Sequence, residues 1–153
     1  MSGEGEITVC RSCKSSELMP IISLGNQYIS NFIDPGKQSG KMVPLDLVLC
    51  SMCKLLQLKH NAPDGEMWGD QYWYKSAINR LIREDLNDIV DSSEKLVSLG
   101  KGDLVVDIGC NDGTLLGFYD KDGIERVGFE PSKNVAKEAA FKGFKIINNF
   151  FNA

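Results

Sequence analysis

The stretch Leu104-Val105-Val106-Asp107-Ile108-Gly109-Cys110-Asn111-Asp112-Gly113-Thr114 decides the fold of this chain. It opens as an apolar run, turns between two glycines, and passes into a helix-like pattern over residues 114–119. Strand, tight loop and helix in that order is the layout in which a parallel sheet presents a helix start and bare backbone N–H groups to a ligand. Downstream the same alternation continues. A strand is expected over residues 126–129, ending in Glu130-Pro131. A helix follows over 133–142, with Ser132 as its cap and Gly143 as its stop, and a third strand starts at 144–147. The second half is therefore expected to be α/β.

Upstream, the spacing of Ile78, Leu81, Ile82, Leu86, Ile89, Val90, Leu96 and Val97 predicts a helix over 76–99 with one apolar face. Ser76 is its expected N-cap and Gly100 its stop. Just before it, Trp68, Tyr72, Trp73 and Tyr74 crowd together. Earlier still, strands are expected over 27–33, 44–49 and 55–58, with a turn at Gly25-Asn26 and a flexible loop over 34–41. The expected organisation is a flexible tail at 1–9, a metal-binding module at 10–63, an aromatic segment with a lid or connecting helix at 64–100, and the α/β part at 101–153.

The bulk composition narrows the function classes. The 153 residues carry a net charge of −4, with 42% hydrophobic and 25% charged residues, ordinary values for a soluble protein. No basic tract stands out, which argues against a nucleic-acid partner or an anionic membrane. No apolar run approaches the roughly 20 residues of a membrane span. The acidic first residues do not resemble a secretory signal, so a cytoplasmic location is expected.

Four of the five cysteines form two Cys-x-x-Cys pairs, Cys10/Cys13 and Cys50/Cys53. Two such turns on neighbouring hairpins complete a tetrahedral Cys₄ shell for Zn²⁺. Four sulfur ligands leave no open position, so the expected ion is structural. Two disulfides or four ordinary thiols are the competing readings, and a redox pair is disfavoured because neither motif opens a helix after a strand. His60, the single histidine, is surplus to such a shell and reads as a loop residue.

The fifth cysteine lies in the glycine loop. Asp107-x-Gly109-x-x-x-Gly113 lacks the glycine pair of the dinucleotide fingerprint and is similar instead to the loop of class I methyltransferases. Gly109 and Gly113 permit close approach of backbone to ligand, and Asp107 can accept from an ammonium group. Cys110 and Asn111 are expected to contact the ligand through their backbone. Glu130 ends the next strand, where an acid can accept both ribose hydroxyls of an adenosine, and Pro131 shapes the loop over the base. Together these point to S-adenosylmethionine, with another nucleotide or a ligand-free turn as alternatives. The fold class is then an α+β zinc-ribbon-like module followed by the first part of a Rossmann-like sheet.

The chain resembles a known family, the nucleotide-sugar C-methyltransferases with an N-terminal zinc-binding domain. The resemblance rests on Cys10-x-x-Cys13, on Ser23-Leu24-Gly25-x-x-x-Ile29-Ser30-Asn31, and on Cys50-x-x-Cys53-x-Leu55-x-Gln57-Leu58. It continues through Tyr72-x-Tyr74-x-Ser76, then Gly109-Cys110-Asn111-Asp112-Gly113-Thr114-Leu115-Leu116, and Val127-Gly128-Phe129-Glu130-Pro131-Ser132. It implies methylation of a sugar carbon beside a keto group in a nucleotide-linked deoxysugar. It also implies that Tyr74 and Ser76 help close over the cofactor, although aromatic crowding before a helix also reads as packing. Ala77 departs from the glycine of many relatives. Carbon methylation needs a general base, and none is nominated here. The chain is thus expected to be the front part of such an enzyme, inactive alone. The competing expectation is a non-catalytic zinc module that recognises a sugar nucleotide or a partner protein.

Overall fold

The computed structural model describes residues 5–29, 36, 41–69, 72 and 74–152. They fall into two compact units that divide between Met67 and Trp68.

The first unit is built on a three-stranded antiparallel sheet. Its strands are β2 (Leu18–Tyr28), β3 (Met42–Cys50) and β4 (Leu56–Leu58), in the order β2-β3-β4. A two-residue strand β1 (Gly5–Glu6) pairs antiparallel with β5 (His60–Asn61), and a short helix α1 (Asp64–Met67) closes the unit. Part of the expected tail is therefore tied down, by this ladder and by the Ile7 N–H donating to the Lys59 carbonyl at 2.8 Å.

The expected turn at Gly25-Asn26 is instead a bulge inside one long strand. The pairing register of β2 with β3 shifts between Ser23 and Asn26, and Gly25 absorbs the extra residue at φ +68°. Of the strand expected over 27–33 and the loop over 34–41, residues 30–35 and 37–40 lie outside the described residues.

Among the described residues the buried apolar set of this unit is small: Cys10, Ile29, Val48 and Cys50. Two of these four are candidate metal ligands, so the core and the metal centre are largely the same object. A unit of this size with so little buried hydrocarbon needs a further source of stability.

The second unit holds the α/β part. A 3₁₀ turn at Ser76–Ile78 precedes helix α2 (Arg80–Leu96). The start differs from expectation. Asn79 is the N-cap, its side-chain oxygen accepting from Leu81 N–H at 2.9 Å, because Ser76 and Ala77 are held out of the helix by the loop described below. The apolar face of α2 is largely uncovered among the described residues: Val90 is buried, whereas Leu81, Ile89 and Leu96 are exposed.

The sheet that follows is wholly parallel, in the order β6-β7-β8, with β6 (Leu104–Ile108), β7 (Glu125–Phe129) and β8 (Lys145–Ile147). Helix α3 (Thr114–Phe118) joins β6 to β7, and α4 (Lys133–Phe141) joins β7 to β8. Leu116, Val127, Val135, Ala136 and Ala139 are buried between these layers. The small residues let α4 sit close: a Cβ on Gly113 would lie 2.8 Å from the Phe144 ring and 3.1 Å from the Ala139 methyl. Ser132 occupies the position before α4 without capping it, because its hydroxyl donates to the Trp68 carbonyl at 2.8 Å.

No helix among the described residues is long and apolar enough to cross a membrane.

Candidate functional site

The metal centre is carried by two turns of the same design. In each, Cys-x-x-Cys is followed by a lysine in the left-handed conformation, Lys14 and Lys54, both at φ +64°. Each lysine donates its backbone N–H to the first cysteine's carbonyl, at 3.1 Å for Lys14 to Cys10 and 3.0 Å for Lys54 to Cys50. Each also returns its ammonium to the carbonyl one residue after that cysteine, Arg11 or Ser51. The two knuckles thus form a local repeat, Cys-x-x-Cys-Lys, whose lysines carried a signal that spacing of the cysteines alone does not give.

The four sulfurs of Cys10, Cys13, Cys50 and Cys53 lie within 4.8 Å of one another, and the Cys10–Cys53 and Cys13–Cys50 pairs are 3.5 Å apart. A tetrahedron with zinc–sulfur arms of about 2.3 Å has edges of about 3.8 Å, so the cluster is close to the size of a Zn²⁺ shell. Every one of these cysteines is free of disulfides.

The thiols are unequal. Burial raises Cys10, but hydrogen bonds from the Cys13 backbone and the Gln57 amide outweigh it and bring the thiol to about 6. Cys50 is also lowered, chiefly by the Cys53 backbone. For Cys13 the Ser15 backbone acts downward, yet burial and the neighbouring sulfurs prevail and push it up to about 11. Four sulfur anions this close need a cation between them, which is the chemistry of a structural zinc shell. Gln57, buried, extends the shell: its amide donates to Cys10 Sγ at 3.3 Å and its oxygen accepts from the Arg11 N–H at 3.0 Å. His60 stands outside the four-cysteine cluster, but it is not a loop residue. It stands in β5 with Nδ1 buried and 3.5 Å from an Asp46 carboxylate oxygen.

The second candidate site lies at the carboxyl ends of the parallel strands. A cavity of about 330 Å³ opens there, lined by Ile108 and Gly109 after β6, Phe129, Glu130 and Pro131 after β7, Asn149, Phe150 and Phe151 after β8, and by Trp68, Tyr72 and Asn111. That volume is at the small end of ordinary ligand sites. Of the residues singled out from sequence, Gly109, Asn111, Glu130 and Pro131 border it. Asp107 stands one residue before the lining, on β6. Gly113 is turned toward Phe144 and Ala139, as described above. Cys110 is buried against the neighbouring strand: a Cβ on Gly128 would meet its sulfur at 2.4 Å. Sequence reasoning did not place Asn149, Phe150 and Phe151 in the site, although their position after a third parallel strand was a usable signal.

The loop's backbone donors are already engaged. Gly109 and Cys110 donate to the Phe129 carbonyl at 2.8 and 3.0 Å. Asn111 donates to Glu130 Oε2 at 2.9 Å, Gly113 to the Cys110 carbonyl at 2.9 Å, and Thr114 to Asp112 Oδ1 at 3.2 Å. Five of the loop's N–H groups are thus committed within the protein. Glu130 also accepts from Ser132 N–H at 2.7 Å, so each of its oxygens holds one backbone donor and keeps a second lone pair.

The local field is negative. Burial, and then the charge of Glu130, push the Asp107 carboxyl above its ordinary range. Burial, again followed by Glu130, pushes the Tyr72 phenol up, so it stays a neutral donor. Burial together with Asp107 and Glu130 takes the Cys110 thiol to about 12, which makes it inert at neutral pH.

Asn111 and Asp112 bind a segment that precedes α2. Asn111 Oδ1 accepts from Ser76 N–H at 3.0 Å and its Nδ2 donates to the Tyr74 carbonyl at 3.0 Å. Asp112 Oδ2 accepts from Ala77 N–H at 3.1 Å. Tyr74 and Ser76 are therefore held beside the loop, by contacts to their backbone. Trp73 lies outside the described residues.

The chain is similar to known proteins in two respects. A family profile described as "Putative zinc binding domain" matches residues 10–68. Over 150 residues the chain is 29% identical to the C-methyltransferase NovU of Streptomyces niveus, an alignment covering 96% of this chain and 36% of that protein. The chain is thus similar to a zinc-binding profile over its first unit and to a C-methyltransferase over most of its length. It spans about a third of the length of the curated relative it matches. The profile spans the four cysteines of the first unit, and the similarity to the relative continues across the glycine loop and Glu130 of the second.

Proposed function

We propose that the chain supplies the structural zinc module and the S-adenosylmethionine-binding strand ends of a C-methyltransferase acting on a nucleotide-linked keto-deoxysugar. The observation that carries the cofactor reading is the imbalance of the glycine loop. Most of its N–H groups, those of Gly109, Cys110, Asn111, Gly113 and Thr114, are spent internally, which leaves little for a phosphate, whereas Asp107 and Glu130 offer acceptors in a negative field. Such a site suits a cationic ligand with free hydroxyls, and S-adenosylmethionine is that. The bound group supplies an electrophilic methyl on a sulfonium.

The chain's own residues would divide the binding. Glu130 accepts from the ribose hydroxyls through its remaining lone pairs. Asp107 pairs with the ammonium, which relieves its repulsion from Glu130. Gly109 keeps the backbone low beneath the ligand. Phe129, Pro131 and Phe151 give an apolar wall for the base, and the Phe129 and Phe151 rings meet edge to face at 5.0 Å between centroids. Tyr74 and Ser76 are positioned by Asn111. The sugar substrate rests on the family resemblance. No residue here is assigned as the base that removes the proton beside the carbonyl.

Titration calorimetry with S-adenosylhomocysteine tests the reading. Binding to the chain, weakened at least about tenfold by Glu130→Ala, is the expected result, since a charge-assisted hydrogen bond contributes about 1.5–3 kcal/mol. Equal binding by the two proteins would remove Glu130 from the site.

A second reading has one observation in its favour. The zinc unit carries its own cavity of about 600 Å³, bordered by Tyr28, Val43, Pro44, Leu58 and His60. On that reading the unit recognises a sugar nucleotide or a protein without catalysis. A transfer assay with labelled methyl donor separates the two, because turnover by this chain would exclude a purely binding role.

A further inference from the structure

The loop residue Asn111 does two things that the cofactor reading leaves unexplained. Its backbone N–H donates to Glu130 Oε2 at 2.9 Å, on the carboxylate assigned to the ribose. Its side chain bridges the backbone of another segment, accepting from Ser76 N–H and donating to the Tyr74 carbonyl, both at 3.0 Å. One residue thus spans the distance from the pocket acid to the start of the 3₁₀ turn with three hydrogen bonds. It is buried, at 8% exposure, so these bonds are made away from competing water.

The residue type fits this double use. Asn111 has φ +51°, a left-handed conformation that asparagine tolerates better than other side chains. Glycine would satisfy the backbone equally well but would leave Ser76 N–H and the Tyr74 carbonyl without these partners. Aspartate would keep the acceptor for Ser76 but set a carboxylate oxygen against the Tyr74 carbonyl. An amide is the group that serves both. The neighbouring Asp112 reinforces the link through Ala77 N–H, and is itself fixed by the Thr114 hydroxyl at 2.6 Å, with the Lys142 ammonium donating to its backbone carbonyl at 2.7 Å.

We propose that Asn111 is a positioning residue that couples the pocket to the Tyr74–Ala77 segment, so that a hydroxyl-bearing ligand on Glu130 tightens the clamp on Tyr74 and Ser76. The reason is cooperative. A hydroxyl donated to Glu130 shares the carboxylate that fixes the Asn111 backbone, and a rigid Asn111 backbone aims the amide at both partners. The proposal rests on the reading that the ligand is an adenosine-bearing methyl donor or its product.

Amide hydrogen exchange in the ¹⁵N-labelled chain, with and without S-adenosylhomocysteine, tests it. In the wild type the ligand should slow exchange of the Ser76 amide about tenfold, the factor expected of one strengthened hydrogen bond. In Asn111→Gly the ligand should still shift the Gly109 and Glu130 resonances, but the slowing at Ser76 should be lost. Asn111→Asp, near-isosteric and compatible with the same φ, should show less than about half of the wild-type slowing. Full ligand-dependent slowing in either variant overturns the coupling. Wild-type shifts at Gly109 and Glu130 with no change at Ser76 overturn it while leaving the cofactor reading standing. No ligand response anywhere in the wild type overturns both.

Discussion

Cys110 shows how a single residue in a ligand loop can belong to the fold. Its thiol is buried, pushed up to about 12, and seated over Gly128 of the adjacent strand. It should therefore resist alkylation by iodoacetamide at pH 8, since well under 1% of a thiol with that pKa is ionised there. After zinc removal, mass spectrometry of the whole chain should show the four cysteines of the first unit modified and Cys110, in the second unit, spared. Rapid modification of Cys110 would mean that the loop opens. Gly128 is the matching half of this contact. A methyl there would meet Cys110 Sγ at 2.4 Å and Ile146 Cδ1 at 2.8 Å, so Gly128→Ala should destabilise the second unit by about 1–3 kcal/mol in urea denaturation, with an unchanged slope. Neither fact could be read from the sequence, in which Cys110 looks like a small loop residue and Gly128 like any glycine in a strand.

At the scale of the element, the two knuckles and the parallel strands were legible, and the connections between them were less so. Doubled Cys-x-x-Cys spacing has few physical meanings, and a strand, a glycine turn and a helix in series nearly dictate a parallel pair. The failures fall where tertiary contacts override local signals. Gly25-Asn26 carries turn chemistry but becomes a bulge, because the strand on both sides has a partner in β3. Ser76 resembles an N-cap, but Asn111 takes its N–H and the cap moves to Asn79. Ser132 resembles another, but its hydroxyl is used by Trp68.

The zinc knuckles also set a pH dependence. Ligand thiols must be deprotonated to bind metal, so acid competes with zinc. Cys10, lowered to about 6, is the ligand whose thiolate forms first as pH rises, and its proton returns as pH falls through that value. Zinc should accordingly be retained at pH 7.5 and released on acidification as protons displace it from the sulfurs, with the first unit unfolding as it leaves. A dye-based zinc assay run beside circular dichroism checks this. Cys50→Ser should give the same loss at pH 7.5, whereas zinc retained at pH 4 would contradict the thiolate account. The stabilisation at stake is on the order of 10 kcal/mol, against a core of few buried side chains.

Across the whole molecule, the chemistry concentrates at two places, one in each unit, and both are built the same way. Each uses backbone N–H groups to hold negative charge in position: around the sulfurs of the knuckles, and around Glu130 at the strand ends. In the first case the design calls for a metal cation. In the second it calls for a ligand with positive charge and hydroxyls. The pocket's aromatic wall was the least legible part of the site, since Trp68 and Tyr72 come from before α2 and Phe150 and Phe151 from after β8. Sequence distance of that size is bridged by topology, which local patterns do not encode. The central claim is that this pocket takes the nucleoside of a methyl donor. A crystal structure of the chain grown with S-adenosylhomocysteine tests it most directly. The account predicts the ribose hydroxyls on the Glu130 carboxylate, the amino-acid end beside Gly109 and Asp107, and the base against Phe129 and Phe151. A nucleoside bound elsewhere, or turned so that Glu130 touches no hydroxyl, would contradict it.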